Sequence, residues 1–289
     1  MTTSVVTGGG RGLGRAVAEV LAGAGHRVVL VARTREAAGT AVRQIRTANP
    51  AASVEPAAVD LSSMAAIRAF APTLSGVGAI DVLFHIAGVL QTSRSRRVTG
   101  DGYEETLAVN ALAPFLLTAL LLPALERSAA ARVVTVSSRL HLPGSRGAPV
   151  DFDFGDPHLV HGYHPDRAYK NSKLAVLWFT YELQRRLPPR PVTANAVCPG
   201  FVPATAAAST TGAMHWLMRH VLPHMPFATS VAAATDALAF MALDPSLEGV
   251  GGKFYAEKHP MPSSAESYDR HEAERFWALA ARLTGVDAP

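Results

Sequence analysis

Cysteine is almost missing from this chain: Cys198 is the only one in 289 residues. That excludes an internal disulfide and a cysteine-based metal cluster, and it suits a reducing, cytoplasmic setting. Placed before Pro199, Cys198 reads as a small apolar core residue. Charged residues are also sparse at 17%, with a formal net charge of +4. Arginine supplies most of the positive charge and is dispersed, so no basic tract suggests a nucleic-acid partner. Low-complexity blocks, internal repeats and dividing linkers are absent, which predicts a single domain over 1–289. No charged leader precedes the first apolar strand, Ser4 to Thr7, so no signal peptide is expected. The longest apolar run, Leu107 to Leu125, is interrupted by Asn110, Pro114, Thr118 and Pro123. It predicts a buried or partner-facing helix and no membrane span.

What is present is an alternation of strand and helix. Ser4 to Thr7 is followed by Gly8-Gly9-Gly10-Arg11-Gly12-Leu13-Gly14 and then by a helical pattern from Arg15 to Leu21. Strand, glycine turn and helix bring backbone N–H groups and a helix N-terminus against a phosphate. The spacing is Thr-Gly-x-x-x-Gly-x-Gly on Gly8, Gly12 and Gly14, not the commoner G-x-G-x-x-G. A second strand, Arg27 to Ala32, ends at Arg33. In a dinucleotide fold an acid there would suit the free ribose hydroxyl of NAD. Arg33 suits a 2′-phosphate instead, and Arg11 in the glycine turn can close on the same group, so NADP(H) is the expected cofactor.

A helix is expected from about Arg35 to Ala48, then a strand near Ser53 to Val59 leading into Asp60-Leu61. Asp60 reads as a helix N-cap, an adenine contact, or both. Further strands are Ile80 to Phe84, running into His85-Ile86-Ala87-Gly88; Arg132 to Val136, ending at Ser137-Ser138; Val192 to Val197, ending before Pro199-Gly200; and Gly252 to Tyr255. Helices begin near Tyr103 and Tyr169, and Ala265 to Leu283 reads as a closing helix. The whole predicts an α/β fold: a single-domain Rossmann-type doubly wound parallel sheet flanked by helices.

The Tyr169 helix carries the chemistry. Tyr169 and Lys173 are four residues apart, so they lie one turn apart on one face. A phenol keeps its proton to pH ~10, and a neighbouring ammonium lowers that value and prepares it for proton exchange.

In order, the chain shows Thr7-Gly8-x-x-x-Gly12-x-Gly14, Asp60, Ala87-Gly88, Asn110, Ser138, Tyr169-x-x-x-Lys173 and Pro199-Gly200. This set, spread over nearly the whole chain, resembles the short-chain dehydrogenase/reductase family. Val109-Asn110 with Phe115 to Thr118, and Ser172-Lys173-Leu174-Ala175, are most similar to its retinol dehydrogenase and protochlorophyllide reductase branch, whose members usually prefer NADP(H). The resemblance implies a catalytic tetrad. Tyr169 is the acid/base, and Lys173 tunes it and holds the nicotinamide ribose. Ser138 (with Ser137 the alternative) steadies the carbonyl oxygen, and Asn110 holds a water through its backbone. It implies a cofactor site on Gly8, Arg11, Gly12, Leu13, Gly14, Arg33, Asp60, Leu61, Ala87, Gly88, Asn110, Tyr169, Lys173, Pro199 and Val202.

The chain departs from the family pattern in three places. His85-Ile86-Ala87-Gly88 stands for the usual Asn-Asn-Ala-Gly, so His85 either braces the sheet or reaches the cofactor or substrate. Ala204 occupies the place of a frequent threonine, with Thr205 one position late. A long segment, 139–168, carries His141, His158, His161, His164, Asp151, Asp153 and Asp156. It lacks compact ligand spacing and reads as a substrate-pocket wall, with no metal site. After Pro199-Gly200 a lid over about 201–228 bears Met214, Trp216, Leu217 and Met218, which suits a bulky apolar or aromatic carbonyl or alcohol. The expected activity is an NADP(H)-dependent ketone or aldehyde reductase or the reverse dehydrogenase. The alternatives are reduction of a conjugated C=C bond and a non-catalytic NADP(H)-binding regulator. The apolar helices 107–125 and beyond Tyr169 suggest a homodimer or homotetramer.

Overall fold

The structure, a computed structural model, describes residues 1–286 apart from 146, 148–149, 189–190 and 208–209. Parts of two predicted segments therefore lie outside the described residues: 146 and 148–149 of the 139–168 loop, and 208–209 with the Met214 side chain of the lid.

Elements alternate as expected: β1 (Thr3–Thr7), α1 (Gly12–Gly23), β2 (Arg27–Ala32), α2 (Arg35–Ala48), β3 (Val54–Ala58), α3 (Met64–Phe70) and β4 (Val82–His85). A long helical stretch follows, composed of α4 (Glu105–Leu107), a π-helical turn (Ala108–Leu112) and α5 (Ala113–Leu125). Then come β5 (Ala131–Val136), α6 (Pro165–Arg186), β6 (Val192–Cys198), α7 (Pro203–Ala206), α8 (Gly212–His220), α9 (Val231–Leu243), β7 (Lys253–Ala256), β8 (His259–Pro260) and α10 (Arg270–Thr284). Among the described residues the strands form one sheet in the order β3-β2-β1-β4-β5-β6-β7-β8, parallel except for β8. Central strands such as β1 and β6 are buried along their whole length. Both sheet faces are covered by helices, and runs of valine and alanine fill that two-sided environment better than an alternating pattern would. Strand order reverses between β1 and β4, which opens a crevice at their C-terminal ends.

The apolar run is the buried helix expected. Residues 105–125 form one unbroken stretch despite Asn110 and Pro114, because the π turn absorbs the proline. The stretch is long and apolar enough to cross a membrane, but 83% of its most apolar window is buried inside the protein. Two other expectations need correction. Asp60 does not cap α3; Ser63 does, accepting from Ala66 N–H at 3.2 Å. The closing helix starts later than Ala265: a 3-10 turn (Ala265–Tyr268) precedes α10, which Asp269 caps.

α10 also changes the picture of the apolar helices. Phe276 and Trp277 are buried against α5 and α6, with ring centroids 4.9 Å apart for Phe115 and Trp277 and 6.1 Å for Trp178 and Phe276. Burial of each such ring contributes about 2–3 kcal/mol. The far end is fastened by Tyr103 Oη donating to Leu283 O at 2.6 Å and by Arg68 donating to Gly285 O at 2.7 Å. The face that suggested a second subunit is thus covered from within the chain.

Candidate active site

Four C-terminal strand ends converge on the crevice. β1 leads into the glycine turn, where Gly8 and Gly12 have φ of +74° and +57°, values that L side chains rarely adopt. A Cβ on Gly8 would lie 2.8 Å from Ala87 N, and one on Gly14 would lie 2.3 Å from Gly8 O. Any side chain at either position would force this close packing apart. Thr7 Oγ1 accepts from Ile86 and Ala87 N–H at 3.2 and 3.3 Å and donates to Phe84 O at 3.1 Å, locking β1 to the end of β4. Gly9 N–H bonds Val31 O on β2 at 2.8 Å. The N-cap of α1, Arg11, offers its helix no side-chain acceptor. Its first-turn N–H groups, on Gly12, Leu13 and Gly14, are thereby left for an anion.

This donor set fits the diphosphate of a nicotinamide dinucleotide. Arg33 stands exposed just beyond β2, and Arg11 is exposed in the turn; neither makes an ion pair among the described residues. Asp60 lies past β3 with Oδ1 accepting from the Ser62 N–H and hydroxyl at 3.0 and 2.8 Å, and partly buried Leu61 packs beside it. Pro199 and Gly200 end β6, and a Cβ on Gly200 would lie 2.0 Å from Thr229 Oγ1. Val202 is buried as α7 begins. Thr205 donates to Val202 O at 2.8 Å, and its methyl faces Gly12. Ala204 is exposed, whereas Thr205, one place on, leans on the glycine turn.

The π turn sets Asn110. Ala113 N–H reaches back to Ala108 O, one residue farther than an α-helix allows. The α-helical donor for the Asn110 carbonyl would be the N–H of residue 114, and Pro114 has none. That carbonyl therefore lacks its α-helical donor. The Asn110 side chain is engaged: Oδ1 accepts from Val89 N–H at 2.8 Å, and Nδ2 donates to Val89 O and Ser172 Oγ, both at 3.0 Å. Ser172 in turn donates to Tyr169 O at 2.7 Å. One amide thus ties the loop after β4 to the helix of Tyr169, with Gly88 lying beside Asn110 Oδ1 and Lys173 Nζ.

Tyr169 and Lys173 lie on α6, which is capped by His164 accepting from Asp166 N–H at 3.2 Å. Ser138 follows β5. Its Oγ accepts from Leu140 N–H at 3.2 Å and neighbours the Tyr169 phenol, which it favours in the charged form. Ser137 points away, donating to Lys173 O at 3.1 Å, so it is Ser138 that meets the tyrosine. Lys173 is 4% exposed, donates from Nζ to Val136 O at 2.9 Å, and lies 5.4 Å from the Tyr169 ring centroid.

The electrostatics run opposite to the expectation that the ammonium lowers the phenol. Tyr169 is pushed up to about 12, by burial first and the neighbouring Cys198 second, against the Ser138 hydrogen bond. Lys173 is pulled down to about 8 by burial, with Cys198 opposing. Removal from water disfavours both charged forms and is the largest cause for each. The phenol is a neutral donor at neutral pH, and the ammonium is the group of the pair that titrates near it.

His85 resolves toward bracing. Its Nε2 lies 2.8 Å from Thr118 Oγ1 on α5, and complete burial lowers it to about 3, so it is neutral. The His/Asp segment is a set of local fastenings. His158 stacks on Tyr103 at 5.2 Å, His161 pairs with Asp156 at 3.4 Å, and Asp151 pairs with Arg167 at 2.7 Å. Asp153 accepts from Gly155 N–H at 2.7 Å. Asn171, next to the tyrosine, clasps Asp151 through both backbone groups at 3.0 and 2.7 Å. Motif spacing did not reveal that role, nor that of Ser172, whose only signal was adjacency to the Tyr-x-x-x-Lys pair. Among the described residues no three potential ligands gather around a common point.

Comparison with known proteins agrees with this geometry. A family model described as short chain dehydrogenase matches residues 2–150. Human retinol dehydrogenase 13 is 33% identical over 99% of this chain and 86% of its own length. Mouse polyprenol dehydrogenase is 36% identical over 98% of this chain and 84% of its own length. A crystal structure of an uncharacterized protein from Mycobacterium paratuberculosis superimposes with a TM-score of 0.76 at 31% identity, covering 100% of this chain and 95% of that one.

Proposed function

The chain belongs to the short chain dehydrogenase family, in its retinol dehydrogenase branch, and from that premise we propose that it is an NADP(H)-dependent oxidoreductase acting on the carbonyl or alcohol of a bulky apolar molecule. The observation that carries the reading is the gathering of Ser138, Tyr169 and Lys173 at the C-terminal edge of the sheet, with the Lys173 ammonium 5.4 Å from the Tyr169 ring centroid, where the glycine turn opens. A nicotinamide dinucleotide held on Gly8, Gly12, Leu13, Gly14, Ala87, Gly88 and Lys173 supplies or accepts the hydride. The chain's own groups handle the oxygen. Ser138 and Tyr169 donate hydrogen bonds to the carbonyl oxygen, and the Tyr169 proton moves to it as the C=O bond is reduced. The Lys173 ammonium and a water on the Asn110 carbonyl restore that proton. In the alcohol-to-carbonyl direction the same groups run in reverse.

Arg33 and Arg11 support NADP(H), since two unpaired guanidinium groups flank the end of β2 with no acid to meet a free ribose hydroxyl. The lid supports an apolar substrate. Trp216 and Phe227 are 59% and 60% exposed, and Phe227 stacks on Phe201 at 6.2 Å, directly after the β6 turn. Retinol and polyprenol, named for two relatives, are long isoprenoid alcohols that such a surface would suit. Loss of NADPH absorbance with retinal, polyprenal and aromatic ketones as oxidants is the direct test. Arg33→Ala is expected to weaken NADPH by about 10- to 100-fold, the scale of one charge-assisted contact, and to leave NADH nearly unchanged. Equal losses for both would remove Arg33 from a phosphate site. Cofactor binding without turnover of any oxidant would favour a regulator.

A further inference from the structure

Three residues beyond Ser138, the short 3-10 turn Arg139–His141 ends in a histidine that is 1% exposed. Its Nδ1 is hydrogen-bonded to the Ser138 carbonyl oxygen, and its backbone N–H reaches the same oxygen at 3.4 Å. A carbonyl only accepts, so Nδ1 carries the proton and Nε2 is left with a lone pair. That Nε2 is buried with no partner among the described residues. The ring stands edge-on to Phe254 on β7, centroids 5.0 Å apart. Leucine or phenylalanine would pack there without stranding a polar nitrogen, and buried unpartnered groups call for a reason. The polar contact this ring does make falls on Ser138.

We propose that His141 is a positioning residue for Ser138, closing the turn that places the serine hydroxyl beside Tyr169 and aims its proton at the substrate oxygen. Ser138 Oγ is pinned on one side by Leu140 N–H at 3.2 Å, within the same turn, and its single O–H stays free for the substrate oxygen. Leu142 N–H closes the far end of the turn on Arg139 O at 3.0 Å. The backbone bond to Ser138 O itself is long at 3.4 Å, so the imidazole N–H is the chief fastening of that carbonyl. The inference rests on Ser138 meeting the substrate oxygen as proposed above.

The test compares kcat, cofactor KM and melting temperature for wild type, His141→Phe, His141→Asn and Ser138→Ala, with the aldehyde found active in the oxidant panel. Ser138→Ala is expected to lower kcat about 100-fold or more. His141→Phe keeps the aromatic packing and is expected to lower kcat about tenfold, the scale of one hydrogen bond, with cofactor KM and melting temperature near wild type. His141→Asn returns an N–H close to the Nδ1 position and is expected to recover most of the loss. Wild-type kcat in His141→Phe beside an impaired Ser138→Ala overturns the role of His141 alone. So does an equal loss in the Phe and Asn variants. An unaffected Ser138→Ala overturns the reading on which both stand. Should the variants misfold, ring 15N shifts of the wild-type histidine decide: an Nδ1-protonated tautomer is expected, and an Nε2-protonated one overturns the proposal.

Discussion

At the scale of single residues, the site is built from groups held where they are least comfortable. Lys173, whose ordinary value is 10.5, keeps its proton only to about 8. That difference corresponds to a burial cost of about 3 kcal/mol at neutral pH, against about 1 kcal/mol returned by the bond to Val136 O. Because the unfolded lysine stays charged to 10.5, the cost is fully present below pH 8 and fades as the pH rises from about 8 to 10.5. Lys173→Met is therefore expected to abolish turnover yet raise the melting temperature of the cofactor-free protein at pH 7, with the gain shrinking by pH 10. Thermal melts at the two pH values check this, and a variant less stable than wild type at pH 7 would contradict it. Tyr169 and Lys173 could be read from their spacing as a pair; the sign of their electrostatics could not. Four residues of helix set proximity, but desolvation depends on what β5, β6 and the 139–168 loop pack around the pair. His85 likewise gave two readings, because its partner Thr118 lies on a different element, 33 residues on.

At the scale of elements, the helix 105–125 is where pattern and structure part most. Asn110 and Pro114 look like breaks, and Pro114 does remove an N–H. The chain answers with a π turn, which keeps the helix continuous and leaves the Asn110 carbonyl without its usual donor. That is a local accommodation that no apolar periodicity encodes. Pro114→Ala supplies the missing N–H four residues after Asn110. It is expected to lower kcat about tenfold by occupying that carbonyl, with the melting temperature unchanged or raised; steady-state kinetics and a melt check both halves. Unaltered kcat would mean the carbonyl takes no part in returning protons to Lys173. The strands and the glycine turn, by contrast, were readable, since β1, β2, β5 and β6 are β-branched runs bounded by their own turn residues. The cap of α3 was missed because Asp60, Ser62 and Ser63 are all credible caps, and Asp60 is engaged by Ser62.

For the whole molecule, the order of strands and the place of the site follow from the alternation of strand and helix, and the likeness to retinol dehydrogenase 13 and to the mycobacterial structure runs along nearly the full length. The docking of α10 does not follow from it. Phe276 and Trp277 give a helix an apolar face, but nothing in the pattern says whether that face meets its own chain or another. In the structure it covers α5 and α6, with Arg186 lying over the Trp277 ring at 4.7 Å. A chain ending before Arg270 is therefore expected to expose Phe115, Trp178 and Phe179 and to self-associate more strongly than the full chain in sedimentation. Unchanged association on removing the helix would show that its apolar face is not what these rings need to stay buried.

The most direct measurement is a single turnover of NADPH-loaded protein with the best aldehyde of the panel, wild type against Tyr169→Phe. Loss of the phenol proton is expected to slow hydride transfer by about 100- to 10,000-fold, while NADPH affinity and melting temperature stay near wild type. A Tyr169→Phe protein that oxidises NADPH at the wild-type rate would contradict the reading of this crevice as the place where the substrate oxygen is protonated.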